Sequence, residues 1–381
     1  MPSSPSRTDR TIIATAVGLT AVAAVLEAAG AAQVLRFVVA GLALAGLAAV
    51  VGRAIEQVGE RLGPSATGLL QSTLGNLPEL FVSLFALHQG LNGVVRASLA
   101  GSILGNAVLV LGCAFVAGGL RHGTQRFDPE EPRLNASLLL LAVAALLVPT
   151  LASKLNTPAA AHAGTLSDVC AVALLLVYAA TIPFSLRRTA RLAAVAPAGP
   201  EMDPATETRP AAQVPPEAQV HPEPGLAGVW SLRTALVVLV VASAAAALVS
   251  DWFVSALEPA TRSLGLSQAF TGLVVVAIAS NAVEHVVGIQ FALKAKPEYA
   301  ISTTLNSPLQ VALFLVPVLV LASRVVGPHQ LTLVWSPLLI ASLAISAVVV
   351  LAVVYDGEYT WIEGVALIGL YAILAAGFWW G

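Results

Sequence analysis

The sequence predicts a polytopic α-helical membrane protein. Of its 381 residues, 57% are hydrophobic and only 10% are charged, and the mean hydropathy is +0.85. Apolar runs of about 20 residues, each long enough to cross ~30 Å of hydrocarbon, recur along the whole chain. A soluble globular protein of this size needs far less apolar surface, and a β-barrel would show short alternating strands instead.

We count eleven apolar segments that are long enough to be transmembrane helices. Their predicted bounds are 11–29, 33–56, 66–88, 94–118, 134–152, 165–187, 232–256, 268–292, 299–323, 331–355 and 361–380. The polar stretch Met1–Arg10 is predicted to be a cytoplasmic stub, because the hydrophobicity after it continues well past the length of a signal-peptide core. Residues 1–32 would thus hold this stub and the first helix.

Two five-helix repeats are predicted on either side of a linker. The linker, residues 194–225, is rich in Pro, Ala and Glu, so it cannot bury a core and should be disordered, acidic and cytoplasmic. The first repeat would then span residues 33–193 and the second 226–381.

The basic residues predict the orientation of the chain. With the N-terminus inside, fourteen of the nineteen Lys and Arg residues fall on the inner side, as the positive-inside rule requires. The C-terminus would then lie outside, just past Trp379 and Trp380. We expect an integral protein of the bacterial inner membrane.

Three pairs of polar residues recur at a constant separation of 205 residues. They are Asn76 with Asn281, Glu79 with Glu284, and Ser102 with Ser307. Because each repeat has an odd number of helices, the second copy would cross the membrane upside down relative to the first. Secondary transporters built this way bind their substrate near the membrane midplane, between the repeats.

The paired acids indicate a cation site. A carboxylate deep in a transmembrane segment is costly, and Glu79 and Glu284 would meet from opposite directions and neutralise a divalent ion. Asn76 and Asn281 would add neutral amide oxygens, which suit a hard cation such as Ca²⁺. The two cysteines, Cys113 and Cys170, are better read as small apolar core residues than as metal ligands.

The same pair of acids suggests exchange. Without a cation between them, repulsion and burial both favour protonation of Glu79 and Glu284, so the site would hold either the cation or protons. His285 is a candidate proton relay, because it lies next to Glu284 and imidazole titrates in the useful range. A hydrogen-bonded structural role is the alternative for this histidine.

Further residues are weaker candidates. Pro78 and Pro308 would free the carbonyls of Leu74 and Thr304 for an ion, or would merely kink packed helices. Polar side chains that either complete the site or join helices are Ser102, Asn106, Asn306, Ser307 and Gln310. Acids that could serve as cation access points, although a solvated surface role is the simpler reading, are Glu56, Glu60, Asp251 and Glu258.

These motifs resemble the calcium/proton exchanger (CAX) family of the calcium/cation antiporter superfamily. The similar segments are Gly75-Asn76-x-x-Glu79, residues 97–106, Ser280-Asn281-Ala282-x-Glu284-His285, residues 310–314 and residues 356–364. The resemblance covers roughly residues 50–380. It implies eleven helices with an inverted repeat, proton-driven Ca²⁺ transport, and Glu79 and Glu284 as the central cation and proton sites, with Asn76 and Asn281 beside them.

The chain departs from the family pattern at Pro78, at Ser280 and at the run Asn306-Ser307-Pro308. These positions touch the expected site and leave ion selectivity open among Ca²⁺, Mn²⁺, Cd²⁺, Na⁺ and K⁺. A Na⁺- or K⁺-coupled exchanger and a passive cation channel remain alternatives. An intramembrane enzyme is the least favoured, since no His-Glu-x-x-His motif is present.

The expected partners are Ca²⁺, H⁺ and membrane lipid. We expect no cofactor, no nucleic acid and no catalytic residues in the sense of an enzyme, and the sequence does not fix the oligomeric state.

Overall fold

A computed structural model describes residues 6–62, 74–195 and 230–380. The predicted linker and residues 66–73 of the third predicted segment therefore lie wholly or largely outside the described residues. The described part is almost entirely helical and contains one short β-pair, in which β1, Gln125–Arg126, runs antiparallel to β2, Glu358–Tyr359.

The described residues of the first half form seven α-helices. Their bounds are α1 Arg7–Ala28, α2 Gln33–Leu62, α3 Leu77–His88, α4 Asn92–Leu104, α5 Leu111–His122, α6 Glu130–Lys154 and α7 Ala163–Val195. A π-helical segment, Gly105–Val110, joins α4 to α5, so that Asn92–His122 is one continuous rod. A 3₁₀ turn, Pro158–His162, precedes α7.

In the second half, residues 230–380 also form seven. Their bounds are α8 Leu232–Ser263, α9 Gln268–Phe270, α10 Ala277–Leu293, α11 Pro297–Gln310, α12 Val316–Val326, α13 Pro337–Val353 and α14 Trp361–Trp379. π-helical segments join α9 to α10 at Thr271–Val276 and α11 to α12 at Val311–Leu315. All three π-helical segments thus lie in the rods that carry the candidate site residues or pack against them, and such segments are frequent at functional sites.

The length and composition of the helices confirm the predicted class. Among the described residues, eight helices are long and apolar enough to cross a membrane, or nine if a bent pair counts as one span, and two shorter apolar helices, α3 and α13, accompany them. The number of eleven transmembrane helices stays a prediction, as do the repeat and linker boundaries.

Three predicted boundaries are wrong. The first helix begins at Arg7, inside the predicted polar stub, because Ser6 and Asp9 form a capping box there. The third predicted segment is interrupted at Gly75–Asn76, and Pro78 lies in the first turn of α3 rather than inside a helix. Residues 331–336 are not helical, and Leu331, Leu333 and Trp335 are buried in alternation, which is the pattern of an extended chain.

The central helices approach one another at glycines. A Cβ atom on Gly101 of α4 would overlap the carbonyl oxygen of Leu273, and one on Gly272 would lie 2.7 Å from the Cβ atom of Ala97. The rod that carries Ser102 and the rod that carries Glu284 therefore pack backbone against backbone. This close packing brings residues of α4 beside residues of α10.

One end of the bundle carries a group of basic side chains, and we call it the basic face. Its residues lie where α5 and α10 end and where α6 and α11 begin. They are Arg121, Arg126, Arg133, Lys294 and Lys296. The Nε2 atom of His122 lies 3.0 Å from the carbonyl oxygen of Leu293, which ties the ends of α5 and α10 together there.

Candidate functional site

The carboxylate of Glu79 lies in the first turn of α3, immediately after the Gly75–Asn76 turn. Its side chain is 1% exposed. Ser102 of α4 donates a hydrogen bond of 3.1 Å to Oε2, while the buried Oε1 has no hydrogen-bond partner among the described residues. An unpaired buried carboxylate oxygen is costly, and a bound cation or proton would satisfy it.

The carboxylate of Glu284 is held in a matching way by α11. Ser307 donates a hydrogen bond of 2.5 Å to Oε2, and the separation between serine and glutamate, 23 residues, is the same in both halves. The rod that carries Glu284 bends by 68° between Ala282 and Glu284. Unlike Glu79, Glu284 is only half-buried.

Asn106 joins the two halves of the site. Its Nδ2 atom lies 3.2 Å from the hydroxyl of Ser307, 3.5 Å from Oε2 of Glu284 and 3.3 Å from the backbone oxygen of Ser102. Its Oδ1 atom is buried without a hydrogen-bond partner among the described residues. Asn106 therefore supplies, beside Glu284, a second buried oxygen that could serve a cation.

The two signature asparagines are also tied to the opposite half. Asn281 donates to the hydroxyl of Ser102 at 2.9 Å, and also to the backbone oxygen of Ala277 and the hydroxyl of Ser280. Asn76 donates to Oε1 of Gln310 at 3.2 Å. Ser102, Asn106 and Ser307 thus lie in one network with Glu79, Glu284 and Asn281, while Gln310 contacts Asn76 in a separate pair.

The donor set determines what this arrangement can bind. Glu79 and Glu284 are the acidic groups of this network, and the groups that contact their carboxylates are hydroxyls and an amide. No cluster of three or more His, Cys, Asp or Glu side chains occurs in the described ranges. An all-oxygen site with two acids matches the preferences of hard cations rather than those of soft metals.

His285 lies beside this network. Its Nε2 atom is buried and has no hydrogen-bond partner in the described part of the chain. A Cβ atom at Gly105 would lie 3.9 Å from this nitrogen. The role of His285 as a proton relay stays a prediction.

The four predicted access acids lie on helices away from these contacts. Glu56 pairs with Arg53 at 2.7 Å, and Glu258 pairs with Arg262 at 2.5 Å. Asp251 is half-buried in α8, and the side chain of Glu60 lies outside the described residues. Their role as access points stays a prediction.

Sequence reasoning missed a set of polar contacts between α6 and α11. Asn135 donates to Oδ1 of Asn306 at 2.8 Å, and Ser302 donates to Oε1 of Glu131 at 3.2 Å. Within α11, Asn306 donates to the hydroxyl of Ser302 at 3.0 Å. The available signal was the spacing of polar residues at every fourth position on both helices.

The family of the chain follows from its sequence as a whole. Residues 32–187 and 234–380 match the sodium/calcium exchanger protein family. The chain belongs to this family. The two matched segments lie on either side of the predicted linker.

Several curated relatives cover nearly the whole chain. A protein of Synechocystis sp. named Ca²⁺/H⁺ antiporter is 38% identical over 343 residues, which is 90% of each chain. One of the same name from Aphanothece halophytica is 35% identical over 90% of this chain and 89% of its own. The Ca²⁺/H⁺ antiporter ChaA of Bacillus subtilis is 33% identical over 90% of this chain and 91% of its own.

Solved structures share the fold. The structure of native YfkE has a TM-score of 0.77 at 29% identity and covers 97% of this chain and 99% of its own. A crystal structure of an H⁺/Ca²⁺ exchanger, CAX, has a TM-score of 0.72 at 16% identity and covers 98% of this chain and 92% of its own. At that identity the second likeness concerns the fold alone.

Proposed function

We propose that this protein is a secondary active antiporter that exchanges Ca²⁺ for H⁺. The observation that carries the proposal is the pair Glu79 and Glu284, each held by a serine 23 residues further along the chain and joined to the other half through Asn106. Relatives at 33–38% identity that bear the name Ca²⁺/H⁺ antiporter support the choice of ions.

Exchange follows from competition for one pair of carboxylates. When Ca²⁺ leaves, Glu79 and Glu284 are left as two neighbouring negative charges in a poorly solvated site, and protons neutralise them. When Ca²⁺ binds, its charge replaces those protons. Because the site holds either the metal or the protons, movement of one down its gradient drives the other in the opposite direction.

Side chains around the pair complete the proposed site. Ser102 and Ser307 orient the carboxylates, and Asn76, Asn281 and Asn106 hold the helices of the two halves at the correct separation. The free oxygens of Glu79 and Asn106 would be ligands to Ca²⁺. The two halves would alternate in opening this site to either membrane face.

We place the protein in the bacterial inner membrane with the basic face in the cytoplasm, because Lys and Arg accumulate on that side. The N-terminus would then be cytoplasmic and the C-terminus external. In this orientation a proton gradient directed inward would drive Ca²⁺ out of the cell.

Everted bacterial membrane vesicles test the proposal. An imposed gradient, acidic inside, should drive uptake of radioactive Ca²⁺ in buffers that contain neither Na⁺ nor K⁺, and dissipation of the gradient should release it. Uptake that requires Na⁺ or K⁺, or flux that ignores the pH gradient, would contradict it. Competition by Mn²⁺ and Cd²⁺ in the same vesicles measures selectivity.

A further inference from the structure

A row of polar side chains runs along α11 from the basic face to the candidate site. It consists of Ser302, Asn306 and Gln310, spaced four residues apart, and we call it the polar stripe. Residues at this spacing lie on one face of a helix, and eight residues of helix span roughly 12 Å. The stripe therefore extends from the first turns of α11 to the level of the signature motifs.

Each member of the stripe has a polar partner on another helix. Ser302 meets Glu131 at 3.2 Å and Asn306 meets Asn135 at 2.8 Å, both across the boundary between α6 and α11. Gln310 meets Asn76 at 3.2 Å. The first two contacts both join residues 171 positions apart. They are therefore successive contacts, one helical turn apart, between two helices that run in the same direction.

The end of the stripe at the basic face is partly exposed, and the other end reaches the candidate site. Glu131, Ser302 and Asn306 are half-buried, whereas Asn135 is 8% exposed. Asn306 directly precedes Ser307, whose hydroxyl donates to Glu284. Asn76, the partner of Gln310, lies three residues before Glu79. Oxygen-bearing side chains thus recur at every fourth position of α11 from the contact with Glu131 to the contact with Asn76.

The corresponding positions in the first half lack these groups. Ser302, Asn306 and Gln310 correspond, 205 residues earlier, to Ala97, Gly101 and Gly105. The facing residue Asn135 corresponds to Ile340, on α13. Because Gly101 packs directly against the backbone of Leu273, no polar row occupies that position. A feature needed only to hold helices together would not have to differ between the halves in this way.

We propose that the polar stripe, with Glu131 and Asn135, is the route by which a divalent cation passes between the basic face and the two central carboxylates. Glu131 is the first protein ligand on this route, and the hydroxyl and amide oxygens of the stripe replace water molecules stepwise. Carboxylate, hydroxyl and amide oxygens are the ligands that Ca²⁺ prefers. This inference rests on the proposed function.

The charge of Glu131 should govern capture of the cation. A negative charge at the mouth of a route raises the local concentration of cations and the rate of their association, and salt screens the effect. The substitution Glu131→Gln should therefore raise the KM for Ca²⁺ added at the basic face by about fivefold and flatten its dependence on ionic strength. The maximal rate should change less than about twofold, because the central carboxylates are untouched.

Matched variants separate a route from a structural contact. Glu130→Gln makes the same charge change on the neighbouring exposed residue, outside the stripe, and should raise the KM by less than half as much. Glu131→Asp keeps the charge and should retain the salt dependence of the wild type. All variants are compared by their elution profile and melting temperature in detergent, so that a folding defect is recognised.

The measurement is initial Ca²⁺ uptake into everted vesicles over a range of Ca²⁺ and salt concentrations. A raised KM with reduced salt dependence in Glu131→Gln alone supports the route. An unchanged KM and salt dependence in Glu131→Gln, an equal effect of Glu130→Gln, or an altered response to the pH gradient at constant KM would each overturn it. Wild-type vesicles without proton-driven uptake would instead refute the proposed function.

Discussion

Glu79 and Glu284 occupy matching positions in the two halves of the sequence, yet their surroundings differ. Each accepts a hydrogen bond from a serine 23 residues away. Glu79 is almost fully enclosed, with Ser102 as its donor, whereas Glu284 is half-buried and has a second, longer contact with Asn106. The duplicated sequence preserved the acids and their serines, while the helices around them diverged.

The difference extends beyond the acids. Small residues on α4 let it pack against the chain around Leu273, while the corresponding face of α11 carries the polar stripe. The α8 counterpart of Arg53 on α2 is Glu258, again 205 residues later. The two halves thus share the glutamate–serine pairs but differ in the residues that surround them.

The largest expected effect comes from neutralising either acid. Glu79→Gln and Glu284→Gln should each lower proton-driven Ca²⁺ uptake by about 100-fold or more. Each substitution removes one carboxylate that would pair with Ca²⁺, and loss of one partner of a buried pair of opposite charges costs on the order of 2–5 kcal/mol. Vesicle uptake at equal protein levels measures this. Retention of proton-driven uptake by either variant would show that the two acids do not share one cation.

Substitution of each glutamate by aspartate tests whether the different exposure of the two side chains affects transport. Glu284→Asp should retain more activity than Glu79→Asp, because water can enter the half-buried position but not the enclosed one. Equal losses in the two variants would argue that the difference in exposure has no functional consequence.

Close packing of α4 should make Gly101→Ala strongly destabilising. The added methyl group would overlap the backbone oxygen of Leu273, and overpacking typically costs about 1–3 kcal/mol, with larger values where backbone must move. Gly93→Ala in the same helix is the control, since the added Cβ atom would lie 4.0 Å from the side chain of Gln268. Melting temperatures in detergent should fall for Gly101→Ala and stay near the wild-type value for Gly93→Ala.

Removal of the serine hydroxyls should affect the halves unequally. Ser102→Ala takes from Glu79 the one donor that the described residues provide, whereas Glu284 retains its contact with Asn106 in Ser307→Ala. We expect the KM for Ca²⁺ to rise about tenfold in Ser102→Ala and about threefold in Ser307→Ala, since a hydrogen bond to a charged group contributes roughly 1.5–3 kcal/mol at most. A larger rise in Ser307→Ala would reverse the proposed order.

The smallest effect is expected at an exposed ion pair near the end of α8, which contrasts with a buried ion pair at the start of α1. Asp9 is 1% exposed and pairs with Arg53 at 2.7 Å, and the indole of Trp230 also donates to it. Asp9→Ala should destabilise the protein by about 1–3 kcal/mol, because it leaves partly buried donors without an acceptor. Glu258→Gln, which disrupts an exposed pair with Arg262, should change stability by less than about 1 kcal/mol.

Urea or thermal unfolding in detergent measures these two variants. Equal effects of Asp9→Ala and Glu258→Gln would mean that the buried contact among α1, α2 and Trp230 adds nothing beyond a surface ion pair.

The sequence was sufficient to predict the helical membrane class and the central network. The constant spacing identified Glu79, Glu284 and their serines because duplicated residues leave a local pattern that can be compared directly. The free-energy cost of an ionisable residue inside the membrane was a second signal, because an acid in an apolar segment indicates a functional site.

The remaining features depend on tertiary packing or on weak local signals. The hydrogen bonds Glu131–Ser302 and Asn135–Asn306 join residues 171 positions apart, and they depend on how α6 packs against α11. The three π-helical segments have no composition signal that we recognised. The turn before α3 was indicated by Pro78, which favours the first turn of a helix, but the surrounding hydrophobicity outweighed this signal.

Calorimetric titration of the purified wild type with Ca²⁺ tests the shared-carboxylate claim most directly. Measured in buffers of different ionisation enthalpy, binding of Ca²⁺ should release protons, and Glu79→Gln and Glu284→Gln should each abolish tight binding. Tight binding of Ca²⁺ without proton release, or tight binding that survives either substitution, would contradict the claim that the metal and protons compete for these two acids.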